Sequence, residues 1–372
     1  MKRHDSMSRE SGFVLDRAKT VLAGVALALT VAVLLLTSPI AALNALANEA
    51  GARAAKTIKE KPFTIYMALW RGCEDACRGF VDYIEEHNIP ARVIMRDAKT
   101  DKSVLPAFVQ EVKELAPDLL VTWGTNVTSG MLGPYDAPDP SRYVRNIPSI
   151  FMIVADPVEA RITRSLDYSG RDFVTGTNNR VPEIVQLKAM LEYRPFKRFG
   201  IIYNEDELNA KLNVEVVRHA AAQLDLDVVV LPVPLRDGKP RKDDLPYLVQ
   251  EAADRGVEFL YIGSSSFLLI NADTYTESAI RAGIPVASSY EGAVKDSSAL
   301  LAITSKYALI GRLAGLQAKR ILVDKIKPGN LPIAALDRHS YLINMKTAEA
   351  LELYPPMSLL GYAEIIDRNG QH

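Results

Sequence analysis

The sequence predicts an α/β protein with two doubly wound parallel sheets and a cleft between them. Short apolar runs of strand length alternate with longer amphipathic stretches. Parallel strands covered on both faces read as such near-continuous apolar segments. The alternation also falls into two similar halves, about 63–177 and 199–303. One sheet built from all of these strands would be long for a twisted sheet, so two are expected.

In the first half the strands are expected at residues 63–69, 91–95, 119–123, 149–154 and 173–177; in the second, at 199–204, 227–232, 259–263, 285–289 and 299–303. The helical stretch 75–87 places Phe80, Tyr83 and Ile84 on one face, and 104–115 does the same with Phe108, Val112 and Leu115. Further helices are expected at 182–193, 208–224, 245–255, 272–282 and 305–323. Residues 131–146 are rich in Pro and Asp, carry no apolar period, and read as a surface insertion.

The first residues are of another kind. Lys2, Arg3, Arg9, Arg17 and Lys19 precede an uncharged apolar run from Val21 to Leu36, followed by Pro39 and Ala45-Leu46-Ala47. Basic region, apolar core and A-x-A site, in that order, predict a signal peptide over 1–47 with cleavage after Ala47, then a polar linker over 48–61. An uncleaved membrane anchor is the competing reading, because the apolar stretch approaches the roughly twenty residues that span a bilayer. Either reading places the body of the protein in the periplasm or another extracytoplasmic space.

Composition narrows the function. The 372 residues carry a formal charge of -1 at pH 7, which gives no electrostatic footprint for nucleic acid. Two cysteines, Cys73 and Cys77, supply neither a disulfide scaffold nor a four-thiolate zinc site, and no metal site is expected. They lie four apart before a helix, and a local disulfide between them is a candidate. No glycine-rich phosphate cradle and no GxSxG elbow occurs, and no histidine is placed beside Ser264 to Ser266. No catalytic residue and no cofactor are therefore assigned; a Rossmann-like enzyme remains as a remote alternative.

In doubly wound sheets ligands sit beyond the carboxyl ends of strands, near helix N-termini. The residues there are short and polar: Thr125 and Asn126 after the third strand, then Asp156, Asn178, Asn209, Ser264 and Ser265. Such groups hydrogen-bond a zwitterionic or polyhydroxylated ligand. Each is also a good helix N-cap, so the clustering across both halves carries the argument. Trp70 and Tyr290 follow strands of opposite halves and can sandwich a ligand ring or aliphatic part. Arg71 is a candidate partner for a ligand carboxylate, together with hydroxyls and N–H groups near Thr125 and Ser265, and Glu291 for its ammonium.

The segment 284–294, IPVASSYEGAV, with Tyr261-Ile262 before it and YALIGRLAG at 307–315 after it, resembles the tryptophan/tyrosine-type ABC transporter substrate-binding proteins. ADPV at 155–158, FVTGT at 173–177, GIIYN at 200–204 and KIKPGNLPI at 325–333 extend the resemblance over roughly 63–354. It implies a type I periplasmic-binding fold whose lobes are joined by three hinge strands. The first lobe would comprise 62–177 and 304–341, the second 178–303 and 342–372. The chain would return to the first lobe near Ile303 and cross again near Ile343. It also implies a monomeric receptor that hands its ligand to an ABC permease; a ligand sensor for a membrane signalling partner is the alternative. Trp70-Arg71-Gly72-Cys73 departs from the acidic and His-Pro sequence usual at that place in the family.

Overall fold

A computed structural model describes residues 61–367. The expected signal peptide, its cleavage site and all but the last residue of the linker lie outside the described residues. The chain opens with β1 (Phe63–Leu69), α1 (Asp75–Glu86), β2 (Ala91–Asp97), α2 (Leu105–Leu115), β3 (Leu119–Trp123), α3 (Thr125–Leu132), β4 (Ser149–Met152) and β5 (Val174–Asn178). It continues with α4 (Glu183–Tyr193), β6 (Arg198–Tyr203), α5 (Leu208–Gln223), β7 (Asp227–Pro232) and a small hairpin, β8 (Leu235–Arg236) with β9 (Lys239–Pro240). Then come α6 (Leu245–Asp254), β10 (Phe259–Ile262), α7 (Ser266–Ile270), α8 (Ala272–Arg281), β11 (Val286–Ser288), α9 (Glu291–Lys295) and β12 (Leu301–Thr304). The last part comprises α10 (Tyr307–Leu322), β13 (Ala334–Ala335), β14 (Ser340–Asn344), α11 (Met345–Ala350), α12 (Met357–Leu360) and β15 (Glu364–Ile366).

Two sheets result. The first has the order β13-β5-β4-β3-β1-β2 and is parallel throughout; the second has the order β15-β14-β12-β11-β10-β6-β7. Its one antiparallel pair, β12 with β14, arises because β14 enters from the opposite end after the excursion through α10 and β13. The chain passes between the sheets after β5, after β12 and after β13. The last passage is complete by Ser340, a few residues ahead of Ile343, since Ser340 already pairs with Thr304.

The strands are buried as their apolar runs require. Ile65 to Ala68 of β1 and Leu119 to Val121 of β3 are fully enclosed. In the second sheet alternate residues face opposite layers: Leu260 and Ile262 one way, Phe259 and Tyr261 the other. Residues 131–146 differ from the expected surface insertion. Met131, Leu132 and Val144 are core residues, the Val144 N–H donates to the Met131 carbonyl at 2.8 Å, and the Arg171 guanidinium donates to the carbonyls of Leu132 and Gly133. Too few apolar residues mark those anchors for a periodic signal to show.

One helix pair sets the position of the cleft. A Cβ at Gly311 of α10 would lie 1.9 Å from the Ala76 carbonyl oxygen of α1, and one at Gly79 would lie 2.1 Å from that of Ala308. The two backbones therefore touch, which only glycine permits. This contact holds the start of α1, with the loop before it, beside Tyr307 at the start of α10.

Candidate functional site

The carboxyl ends of the strands of both sheets converge on one cleft of about 630 Å³, its solvent mouth included. The first lobe supplies Trp70 and Arg71 after β1, Trp123 to Asn126 at the β3–α3 junction, and Ile153 and Ala155 after β4. The second supplies Asn209 of α5, Tyr261, Ser264 and Ser266 around the end of β10, and Ser289 and Tyr290 after β11. Asn179, Arg180, Val181, Glu183 and Gln186 line it at the first interlobe passage, and Ile303 and Tyr307 at the second.

Local chemistry explains each placement. Gly124 adopts φ +92° at the N-cap of α3, where a Cβ would press on the Cβ of Trp70 at 3.3 Å, so glycine lets the two loops meet. The first N–H groups of α3, from Thr125 onward, have no intrahelical acceptors and point toward the cleft end of the helix. Asn209 donates to the Ser264 carbonyl at 2.6 Å, and Asn213 accepts from the Ser264 N–H at 3.1 Å, so α5 shapes the serine loop. The Tyr261 hydroxyl donates to Gln186 Oε1 at 3.0 Å.

Three polar atoms on this lining are buried without a hydrogen-bond partner among the described residues: Trp70 Nε1, Trp123 Nε1 and Asn179 Oδ1. Buried polar groups are nearly always satisfied, so two donors and an acceptor left open on one lining make this cleft the candidate ligand site. Charge is distributed to match. Arg180 is paired with Asp156 of the first lobe and donates from Nη2 to Glu183 Oε2 at 2.9 Å in the second. Burial works against the Arg180 charge, but Glu183 and Asp156 hold its affinity for the proton above the ordinary arginine range. Arg71 is paired with Glu74. Burial raises the affinity of Glu207 for its proton, although Ser265 Oγ and the Phe267 N–H both donate to it. Glu74 balances Arg71, while Arg180 meets two carboxylates, Asp156 and Glu183, of which Glu183 lines the cleft, so one carboxylate is in excess beside the hinge, a setting for a ligand ammonium. The α3 N-terminus and the indole N–H groups offer donors to a carboxylate.

Of the residues singled out in the sequence, Trp70, Arg71, Thr125, Asn126, Asn209, Ser264 and Tyr290 line this cleft. Four others do not. Ser265 turns away: its Oγ donates to Glu207 and caps α7 through the Leu268 N–H. Asp156 is engaged by Arg180, and Asn178 accepts from the Arg180 N–H at 3.0 Å. Glu291 accepts from the Tyr307 N–H at 3.1 Å and from Lys295 Nζ at 2.6 Å, and borders a neighbouring hollow. Cys73 and Cys77 are joined in a disulfide at the entry to α1. Trp123, Arg180, Glu183, Gln186 and Tyr307 also line the cleft, although nothing in the sequence singled them out as ligand-facing. Trp123 looked like the last core residue of a strand, and Glu183 like an ordinary first-turn acid of a helix.

Two doubly wound lobes connected by three passages, with a cleft between them, define the class of two-lobed solute-binding proteins with the type I periplasmic-binding fold. The chain belongs to the family of ABC transporter substrate binding proteins, whose model matches residues 72–366. It is 25% identical over 289 residues to a tyrosine-binding protein of Clostridioides difficile (strain R20291), covering 75% of this chain and 77% of that one. Among solved structures it resembles a conserved domain protein from Vibrio cholerae, with a TM-score of 0.73 at 20% identity, covering 82% of this chain and 100% of that one. An ABC domain from Streptococcus pneumoniae in complex with L-Trp gives a TM-score of 0.72 at 19% identity with the same coverage. A ligand-free, open substrate-binding protein with adhesive properties from Clostridium difficile gives 0.62 at 19% identity, covering 82% and 99%.

Proposed function

We propose that the protein is the extracytoplasmic receptor of an ABC importer and that its cleft captures an α-amino acid for delivery to the permease. The observation that carries this is the pairing of complementary groups in one cleft. Carboxylate charge in excess around Glu183, with Asn179 Oδ1 open, suits an ammonium; the α3 N-terminus with the two open indole donors suits a carboxylate. The similarity to a tyrosine-binding protein supports the ligand class. A ligand that touches both lobes stabilises the arrangement in which they meet, by the difference in its contacts between the separated and joined forms. The exported leader read from residues 1–47 accords with a receptor outside the cytoplasm.

Two measurements test the reading. Mass spectrometry of small molecules released on denaturing the purified protein is expected to find an amino acid. Small-angle scattering on adding that compound back to stripped protein is expected to show compaction. An extract without amino acids, together with no binding from a panel of the twenty, counts against the ligand class. N-terminal sequencing of protein from the exporting cell is expected to begin at or near Asn48.

A further inference from the structure

The space between Trp123 and Tyr290 is filled by the chain itself. The guanidinium carbon of Arg71 lies 4.7 Å from the Trp123 ring centroid and 5.7 Å from that of Tyr290, both within cation–π reach. Trp123 ends β3 of the first lobe and Tyr290 follows β11 of the second, so the lobes meet on this side chain as two walls meet on a flat ligand. Its position is fixed from several sides. Nε and Nη2 donate to the Glu74 carboxylate, and Nη1 donates across the cleft to Ser266 Oγ at 2.6 Å. The Cys73–Cys77 bridge and the backbone contact of α1 with α10 hold the loop that carries it. Burial opposes the charge of Arg71, and Glu74 more than restores it, so the cation persists. Ile153 after β4, Val181 at the first interlobe passage and Ile303 at the second add aliphatic side chains to the cleft lining.

We propose that Arg71 is the specificity-determining residue of the cleft: it takes the place between two rings that a ligand's aromatic side chain would occupy, so the protein selects aliphatic over aromatic amino acids. This rests on the amino-acid reading above and narrows it. Two aromatic walls alone would favour a ring. With a paired guanidinium between them, a ring must displace a cation that is stacked and hydrogen-bonded to both lobes, whereas a compact side chain against the hinge leaves it undisturbed.

The test is calorimetric titration of ligand-stripped wild-type, Arg71→Ala and Ser266→Ala proteins with L-leucine, L-valine, L-tyrosine and L-tryptophan. The wild type is expected to bind leucine or valine at least tenfold more tightly than tryptophan. Arg71→Ala is expected to reverse the order, gaining at least tenfold for tryptophan as the slot opens. Ser266→Ala, which frees the guanidinium without removing it, is expected to move the ratio in the same direction by less. General damage to the fold lowers all affinities together and cannot reverse their order. If Arg71→Ala does not fold, the Ser266→Ala ratio carries the test, and an unmoved ratio overturns the proposal. Wild-type binding of tyrosine or tryptophan as tight as that of the aliphatic ligands overturns the role of Arg71 and leaves the amino-acid reading standing. Binding of none of the four by any of the proteins overturns the aliphatic preference, and the panel of twenty then decides the amino-acid reading.

Discussion

Glu183 Oε1 accepts from Asn213 Nδ2 at 2.7 Å while its Oε2 accepts from Arg180 at 2.9 Å, so the carboxylate that faces the cleft is oriented by α5 on one side and by the hinge on the other. Arg180 Nε also donates to both oxygens, at 3.3 and 3.2 Å, so the acid is held in a fixed direction and a ligand that meets it does not bear the entropy cost of ordering a free side chain.

From that relationship, Glu183→Gln is expected to weaken binding of the native amino acid by roughly ten- to a hundredfold, the value of a charge-assisted hydrogen bond of about 1.5–3 kcal/mol. Glu291→Gln is expected to change affinity by less than about threefold, since Glu291 borders the neighbouring hollow and not the cleft. Titration calorimetry on both variants decides. Equal losses would place the ammonium away from Glu183.

Glu207 gives a pH dependence of known sign. Burial raises its folded-state pKa above that of the unfolded chain, so its contribution is fully present below the unfolded pKa and is lost as pH rises through the folded one. Glu207→Gln, which keeps an acceptor for Ser265, is therefore expected to gain stability relative to wild type at pH 7–8 and to lose that advantage toward pH 4. Denaturant unfolding at the two pH values is the check. A difference that grows on acidification contradicts the assignment.

The bridge between Cys73 and Cys77 closes a loop of only a few residues. Chain entropy gives about 2 kcal/mol for so short a loop, or a few degrees in melting temperature. Cys73→Ser with Cys77→Ser is expected to lower thermal stability by no more than that. Because the bridge also steadies the loop of Arg71, ligand selectivity is expected to relax in the same variant. Thiol labelling of denatured, unreduced wild-type protein is expected to find no free thiol.

Gly311→Ala drives a methyl group into the Ala76 carbonyl across the α1–α10 contact. Overpacking of this kind costs about 1–3 kcal/mol, and more where the obstacle is backbone that cannot rotate away. The variant is expected to melt several degrees lower, while Gly238→Ala, in open space at the β8–β9 turn, costs only its positive-φ strain. Thermal unfolding of both is the comparison, and equal melting would mean that the two helices separate without penalty.

The architecture was legible in the chain because buried parallel strands and amphipathic helices leave periodic marks. The segments 63–69, 119–123 and 227–232 coincide with β1, β3 and β7. Short elements left none: α7 and α9 have five residues each, too few for a helical period, and β13 has two. The loops at strand ends were equally legible, since the fold dictates where they must converge.

Which side chains within those loops face the cleft was decided by tertiary structure. Ser265 and Ser266 are neighbours of one type, yet one caps α7 against Glu207 and the other receives Arg71 from across the cleft. Glu183 and Glu291 both open a helix, and only the first faces the cavity. The sequence by itself determined two sheets, their helices and a polar rim. Local propensity acts through neighbours along the chain, and that was enough for those features. The direction of a side chain in a loop depends on partners such as Glu207, Asn213 or Tyr307, which only folding brings within hydrogen-bond reach.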